Sequence, residues 1–250
     1  MSSITPAHTI VLITGANQGL GYECVKKLAA EQPNYHIILC SRNFERGQEA
    51  AKAVSNLAPG TSVEALELDI NNDEHIAKAA KFVQDTYGRL DVLFNNAGIV
   101  SDPSATTVRE SFLKVIETNA VSAMCVTDAF LPLLKKAEVP RLLFMSSSLG
   151  SLALNLDKSW PYYAVFQGRP YITSKATMNM IAVLCHVYEG KDGIKVNAIN
   201  PGYRATNLNN YNKMAGNPAD GAIEACRLIV DTDKNGQTGT FTSTEGIEPW

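Results

Sequence analysis

Thr9-Ile10-Val11-Leu12-Ile13-Thr14-Gly15-Ala16-Asn17-Gln18-Gly19-Leu20-Gly21 is the stretch whose reading decides the fold. The β-branched run predicts a buried strand, the glycine cluster a tight turn, and the apolar period from Leu20 to about Glu31 a helix. Glycines here let the backbone bend sharply and approach a pyrophosphate, whose charge meets the free N–H groups and positive dipole end of the helix. A plain strand-to-helix turn needs one glycine at most. The expectation is therefore a dinucleotide site along Gly15, Asn17, Gln18, Gly19, Leu20 and Gly21.

Outward from this unit the alternation continues. Strands are expected at 37–40, 63–68, 90–94, 142–145, 194–199 and 239–242, and helices at 44–57, 72–87, 108–136, 172–188 and 219–231. Strands alternating with helices require a parallel sheet with both faces covered, because right-handed crossovers carry the helices there. The prediction is an α/β, Rossmann-like, doubly wound sheet of about seven strands in a single domain over 1–250. Two segments break the rhythm. Residues 151–170 hold Trp160, Tyr162, Tyr163 and Phe166, and residues 203–218 hold Tyr203, Tyr211 and Met214. Both follow strands at the carboxyl edge of the sheet, where ligands bind in such folds, and both are expected to wall or cover a substrate pocket. The alternative is that their aromatic side chains only tack long loops onto the core.

The 250 residues are 45% hydrophobic and 19% charged, enough apolar material for a sizeable core. Lys and Arg number 22 against 25 Asp and Glu. No basic run offers a footprint for a phosphate backbone or an anionic membrane, so no nucleic-acid or membrane partner is expected. Residues 1–8 carry no export-type pattern, which predicts a cytoplasmic protein. Five scattered cysteines without a CxxC pair suit buried thiols in a reducing compartment, and four histidines without metal-ligand spacing predict no metal site.

The second strand ends in Cys40-Ser41-Arg42-Asn43. An NAD site would place a carboxylate there for the ribose 2′-hydroxyl; instead Arg42 can pair bidentately with a 2′-phosphate and Ser41 can hydrogen-bond it, which predicts NADP(H). Asp69, closing the third strand, is placed either for the adenine rim or to cap the next helix. Tyr171 and Lys175 stand four apart on one helix face, where a cation favours the phenolate and makes tyrosine a usable proton donor and acceptor. The spacing alone is weak evidence: Tyr22 and Lys26 repeat it on the first helix, where ordinary surface packing is expected. Tyr171 differs by its company, since Ser147 closes the fifth strand at the same sheet edge.

With these motifs the chain resembles the short-chain dehydrogenase/reductase family of the single-domain kind, over nearly its whole length. It is most similar there to NADPH-dependent carbonyl reductases, which share a small residue and Arg after the second strand and a tail like Gly239-Thr240-Phe241 and Glu248-Pro249-Trp250. The resemblance implies that Tyr171 protonates a carbonyl oxygen, Ser147 hydrogen-bonds the same oxygen, Lys175 holds the nicotinamide ribose and lowers the Tyr171 pKa, and Asn119 anchors a water linking Lys175 to solvent. It further implies that Asp69, Ile70, Asn95, Ala97 and Gly98 lie along the adenosine end of the cofactor, and Pro201, Gly202 and Thr206 along the nicotinamide end. The implied activity is NADPH-dependent reduction of ketones or aldehydes on an apolar or aromatic substrate. The same groups serve alcohol oxidation, and a non-catalytic NADP-binding regulator is the reading from another class. The Ser147-to-Tyr171 spacing of twenty-four positions is longer than most of the family shows and shorter than in its monomeric carbonyl reductases, which leaves both a homo-oligomer and a monomer open.

Overall fold

The computed structural model describes residues 8–164 and 168–250; Phe166 of the predicted pocket wall lies outside them. One eight-stranded sheet runs through the molecule in the order β3-β2-β1-β4-β5-β6-β7-β8, formed by β1 (Thr9–Ile13), β2 (Tyr35–Ser41), β3 (Ser62–Glu67), β4 (Val92–Asn95), β5 (Arg141–Met145), β6 (Lys195–Ile199), β7 (Thr240–Ser243) and β8 (Gly246–Ile247). The first seven pair in parallel, and β8 turns back antiparallel on β7, with Thr242 opposite Ile247. This is the expected doubly wound α/β fold with one strand more, a two-residue return too short to leave a pattern in sequence.

Alternation along the strands feeds two cores. Ile10, Leu12, Leu93 and Phe144 face one layer, and Val11, Ile13, Phe94 and Leu143 the other. The first layer packs under α3 (Asp73–Tyr87), α5 (Ser122–Leu134) and α7 (Arg169–Glu189). The second packs under α1 (Gly19–Glu31) and α9 (Ile223–Val230), the latter preceded by a single turn, α8 (Pro218–Gly221). Four of the five cysteines are buried and Cys125 half-buried, and all are free thiols.

Local chemistry sets the helix starts. Asn43 accepts from the Arg46 N–H to open α2 (Phe44–Ala53), and Asn72 accepts from the Glu74 and His75 N–H groups to open α3. Thr107 and Glu110 form a reciprocal capping box at α4 (Val108–Ile116). The single helix expected over 108–136 is in fact three pieces: α4, a π-helical turn at Glu117–Val121, and α5. The extra residue in that turn accommodates Asn119, whose amide is held from the side by another part of the chain. The helix expected to reach residue 57 stops at Ala53, and the loop at 151–170 contains a short helix, α6 (Leu152–Leu156). Among the described residues no helix is long and apolar enough to cross a membrane, and no three His, Cys, Asp or Glu side chains converge as metal ligands do.

Candidate active site

The order in which the chain adds strands reverses between β1 and β4, and the glycine turn sits in the crevice this opens at the strands' carboxyl ends. Gly15 and Gly19 have φ of +61° and +59°, and a Cβ on Gly15 would lie 2.9 Å from that of Ala97. A Cβ on Gly21 would meet the Asn96 amide at 2.5 Å. The turn is locked to β4 by residues that sequence reasoning left unassigned. Thr14 Oγ1 accepts from the Asn96 and Ala97 N–H groups, and Asn96 Nδ2 donates to the carbonyls of Thr14 and Gly15. Unlike α2, α3 and α4, helix α1 begins with neither a side-chain cap nor an acidic residue in its first turn. Its N–H groups suit a pyrophosphate, so the cradle fits a dinucleotide.

Ser147 ends the extended run after β5 and opens a 3₁₀ turn at Ser148–Gly150, its hydroxyl accepting from the Leu149 N–H. The same hydroxyl hydrogen-bonds the Tyr171 phenol, near the start of α7. Lys175, one turn further on, sends its ammonium over the Tyr171 ring, 5.7 Å from its centre, and donates to the Met145 carbonyl at 2.7 Å. Gly150 makes this contact possible, because a Cβ there would come within 2.6 Å of the Lys175 carbonyl carbon. Asn119 lies beneath: Oδ1 accepts from the Ile99 N–H, and Nδ2 donates to the Ile99 carbonyl and to Ser174 Oγ, which donates to the Tyr171 carbonyl. Tyr171, Lys175, Asn119 and Ser174 are all buried.

A family model for short chain dehydrogenases matches residues 9–215. The chain is 34% identical over 279 aligned residues to the short-chain dehydrogenase/reductase eupG of a Phoma species, covering 100% of both chains. The chain belongs to the short-chain dehydrogenase family. It is an oxidoreductase of the class that acts on CH–OH and carbonyl groups. In structure it is similar to the carbonyl reductase Sniffer of D. melanogaster, with a TM-score of 0.79 at 28% identity over 97% of this chain and 100% of that one. The NADPH-bound carbonyl reductase from chicken fatty liver shares the fold at a TM-score of 0.79 and 24% identity, over 100% of this chain and 97% of that one.

In this short-chain dehydrogenase several expected placements change. Burial pushes the Tyr171 phenol up to about 12, against the Ser147 hydrogen bond, which acts to lower it. Burial likewise pulls the Lys175 ammonium down to about 7. The Asn119 side chain makes three hydrogen bonds to protein partners, the N–H and carbonyl of Ile99 and the Ser174 hydroxyl. Asn95 is buried and gives its amide to Thr127 under α5, and the Ile70 side chain lies in the core. Asp69 accepts from the Asn71 N–H, while the cap of α3 is Asn72. Ser41 is buried with its hydroxyl turned to the Asn43 backbone, so it does not present a donor outward. Arg42 is exposed beside it, and Arg46, overlooked in the sequence, follows one helical turn later. Their i, i+4 spacing was the available signal.

Gly202, with φ of +73°, follows β6, and the loop beyond it folds back so that Thr206 and Asn207 border Gly19. Thr206 is buried and caps the turn Asn207–Asn209. Gln18 is exposed, and Leu20 packs partly against the core and α8. A cavity of about 410 Å³ lined by His186, Lys191, Lys195 and Thr238 lies at the opposite, amino edge of the strands.

Proposed function

We propose that this chain reduces a ketone or aldehyde on an apolar or aromatic substrate, taking hydride from NADPH. The observation that carries the reading is the buried Tyr171 phenol, hydrogen-bonded to Ser147 and one turn from Lys175. When bound, NADPH supplies the hydride that reaches the carbonyl carbon. Tyr171 gives its proton to the carbonyl oxygen, and Ser147 hydrogen-bonds that oxygen as negative charge develops. Lys175 holds the nicotinamide ribose hydroxyls, and Asn119 holds the π turn and Ser174 in place beneath it. The protonated phenol is the form that donates in reduction, and the same groups serve alcohol oxidation.

Gly15, Asn17, Gln18, Gly19, Leu20 and Gly21 take the pyrophosphate end. Asp69, with the backbone of Ile70, Asn95, Ala97 and Gly98, borders the adenosine, and Pro201, Gly202 and Thr206 border the nicotinamide. Arg42, joined by Arg46, takes the 2′-phosphate that marks NADPH, the cofactor bound in the chicken carbonyl reductase. Segments 151–170 and 203–218 wall the substrate, offering exposed Leu152, Leu156, Tyr203, Tyr211 and Met214.

The test follows the loss of NADPH absorbance with a panel of aromatic and aliphatic ketones and aldehydes. Turnover of apolar carbonyls, with a preference for NADPH that Arg42→Ala reduces by about tenfold or more, is the expected result. Cofactor binding without oxidation would instead identify a regulator, and equal use of NADH would remove the assignment of Arg42.

A further inference from the structure

The tail after β8 touches both flanks of the site. Glu248 is anchored to the sheet by its N–H, which donates to the Phe241 carbonyl on β7 at 2.8 Å. Its Oε1 accepts from Asn200 Nδ2 at 2.7 Å, and Asn200 Oδ1 in turn accepts from the Gly202 N–H at 3.1 Å. Glu248 thus fixes, through one asparagine, the loop that leaves β6. Two residues later the Trp250 indole stacks on Phe241, with centroids 5.6 Å apart and planes 26° from parallel, and packs against the core. The Trp250 carbonyl accepts from the Ala153 N–H at 3.1 Å. Ala153 lies in α6, which Asn155 ties by its amide to the Leu149 and Ser151 carbonyls of the turn carrying Ser147.

We infer that Glu248 and Trp250 are positioning residues: a strap that holds α6 on one side, and the Gly202 loop on the other, in fixed register across the reaction site. The inference rests on the proposed reading of these two segments as walls of that site. Segment 151–164 is otherwise weakly held. Leu152 and Leu156 are 68% and 82% exposed, and none of the α6 residues is buried. A segment with few buried contacts opens locally at low cost, so one backbone hydrogen bond and one stacked indole have disproportionate leverage over it. The substrate gains from that order, because a wall already in place is not ordered at the expense of binding.

Two branches of the strap predict separable effects. Trp250→Ala releases α6: amide hydrogen exchange in 151–156 accelerates by about tenfold or more, KM for the carbonyl substrate rises about fivefold, kcat stays within about twofold and NADPH affinity is unchanged. Trp250→Phe keeps an aromatic stack and stays near the parent protein. Glu248→Ala instead weakens NADPH binding about fivefold without faster exchange in 151–156, while Glu248→Gln keeps the acceptor and restores it. Should Trp250→Ala not fold, Trp250→Leu keeps the apolar volume without the stack and is read by the same peptides. Unchanged exchange in 151–156 overturns the inference, as does acceleration shared equally with β1 and α1. The exchange measurement needs no turnover, so a protein that oxidises no NADPH would defeat the proposed reaction while leaving the strap decided on its own.

Discussion

The molecule carries the same tyrosine–lysine spacing twice, and the two copies have opposite surroundings. Lys26 stands 5.2 Å over the Tyr22 ring on α1, and Lys175 stands 5.7 Å over Tyr171 on α7. The helix dictates this much in both cases. Beyond it they diverge. Lys26, its side chain 44% exposed, pairs with Glu23 at 2.9 Å. Lys175 is 3% exposed, faces a carbonyl and a thioether instead of a carboxylate, and lies against a strand end bearing Ser147. Spacing fixes geometry; burial and neighbours fix chemistry. Desolvation raises the phenol and lowers the ammonium at the buried pair.

The comparison breaks most sharply at the hydroxyl. Tyr171→Phe lowers kcat/KM for carbonyl reduction by about 10³-fold with NADPH affinity near normal, whereas Tyr22→Phe leaves turnover within about twofold. Steady-state kinetics with a fluorescence titration of the cofactor decides, and substantial turnover by Tyr171→Phe would sink the assignment.

Lys175→Met comes next, lowering kcat/KM by about 10²-fold. It also changes stability in a direction that a surface lysine cannot. Because burial holds Lys175 at about 7, well below its ordinary 10.5, the unfolded chain binds the extra proton between those values. Stability of the cofactor-free protein therefore gains from this group as pH rises from about 7 to 10.5. Melting curves across that window should lose this gain in Lys175→Met and keep it in Lys26→Met.

Gly150→Ala tests whether the buried pair depends on close packing. The new methyl, 2.6 Å from the Lys175 carbonyl carbon, forces α7 or the Ser147 turn to move and costs about 1–3 kcal/mol by denaturant midpoint, with a fall in kcat. The smallest effect belongs to Lys26→Met. The Glu23 pair it removes is exposed, so the midpoint shifts by no more than about 0.5 kcal/mol and activity is unchanged.

How much of this was legible beforehand follows the same division. Local chemistry that repeats along the chain was readable: the strand, glycine turn and helix at 9–31, the alternation of elements, the positions of Ser147, Tyr171 and Lys175. What depended on distant contact was not. The π turn at Glu117–Val121 exists around an asparagine held by Ile99 and Ser174, and nothing within the helix announces it. Thr14, Asn96 and Gly150 look like generic turn residues until the strands lie side by side. Ser41 has the right residue type for a phosphate, yet its hydroxyl is taken by its own chain two residues on. The Tyr171 environment divides in the same way: adjacency to a cation is visible in the spacing, whereas full burial of both partners is a property of the assembled fold.

The two-residue strand β8 has a consequence for the molecule in a crowded solution. A sheet exposes unpaired amide and carbonyl groups along each outer flank, and such a flank can template chain after chain into a fibre. Here one flank ends in Gly246 and Ile247, too brief to seat another strand in register, and the other is β3, which carries Glu64 and Glu67. Neither flank offers the long, neutral ladder on which edge addition depends.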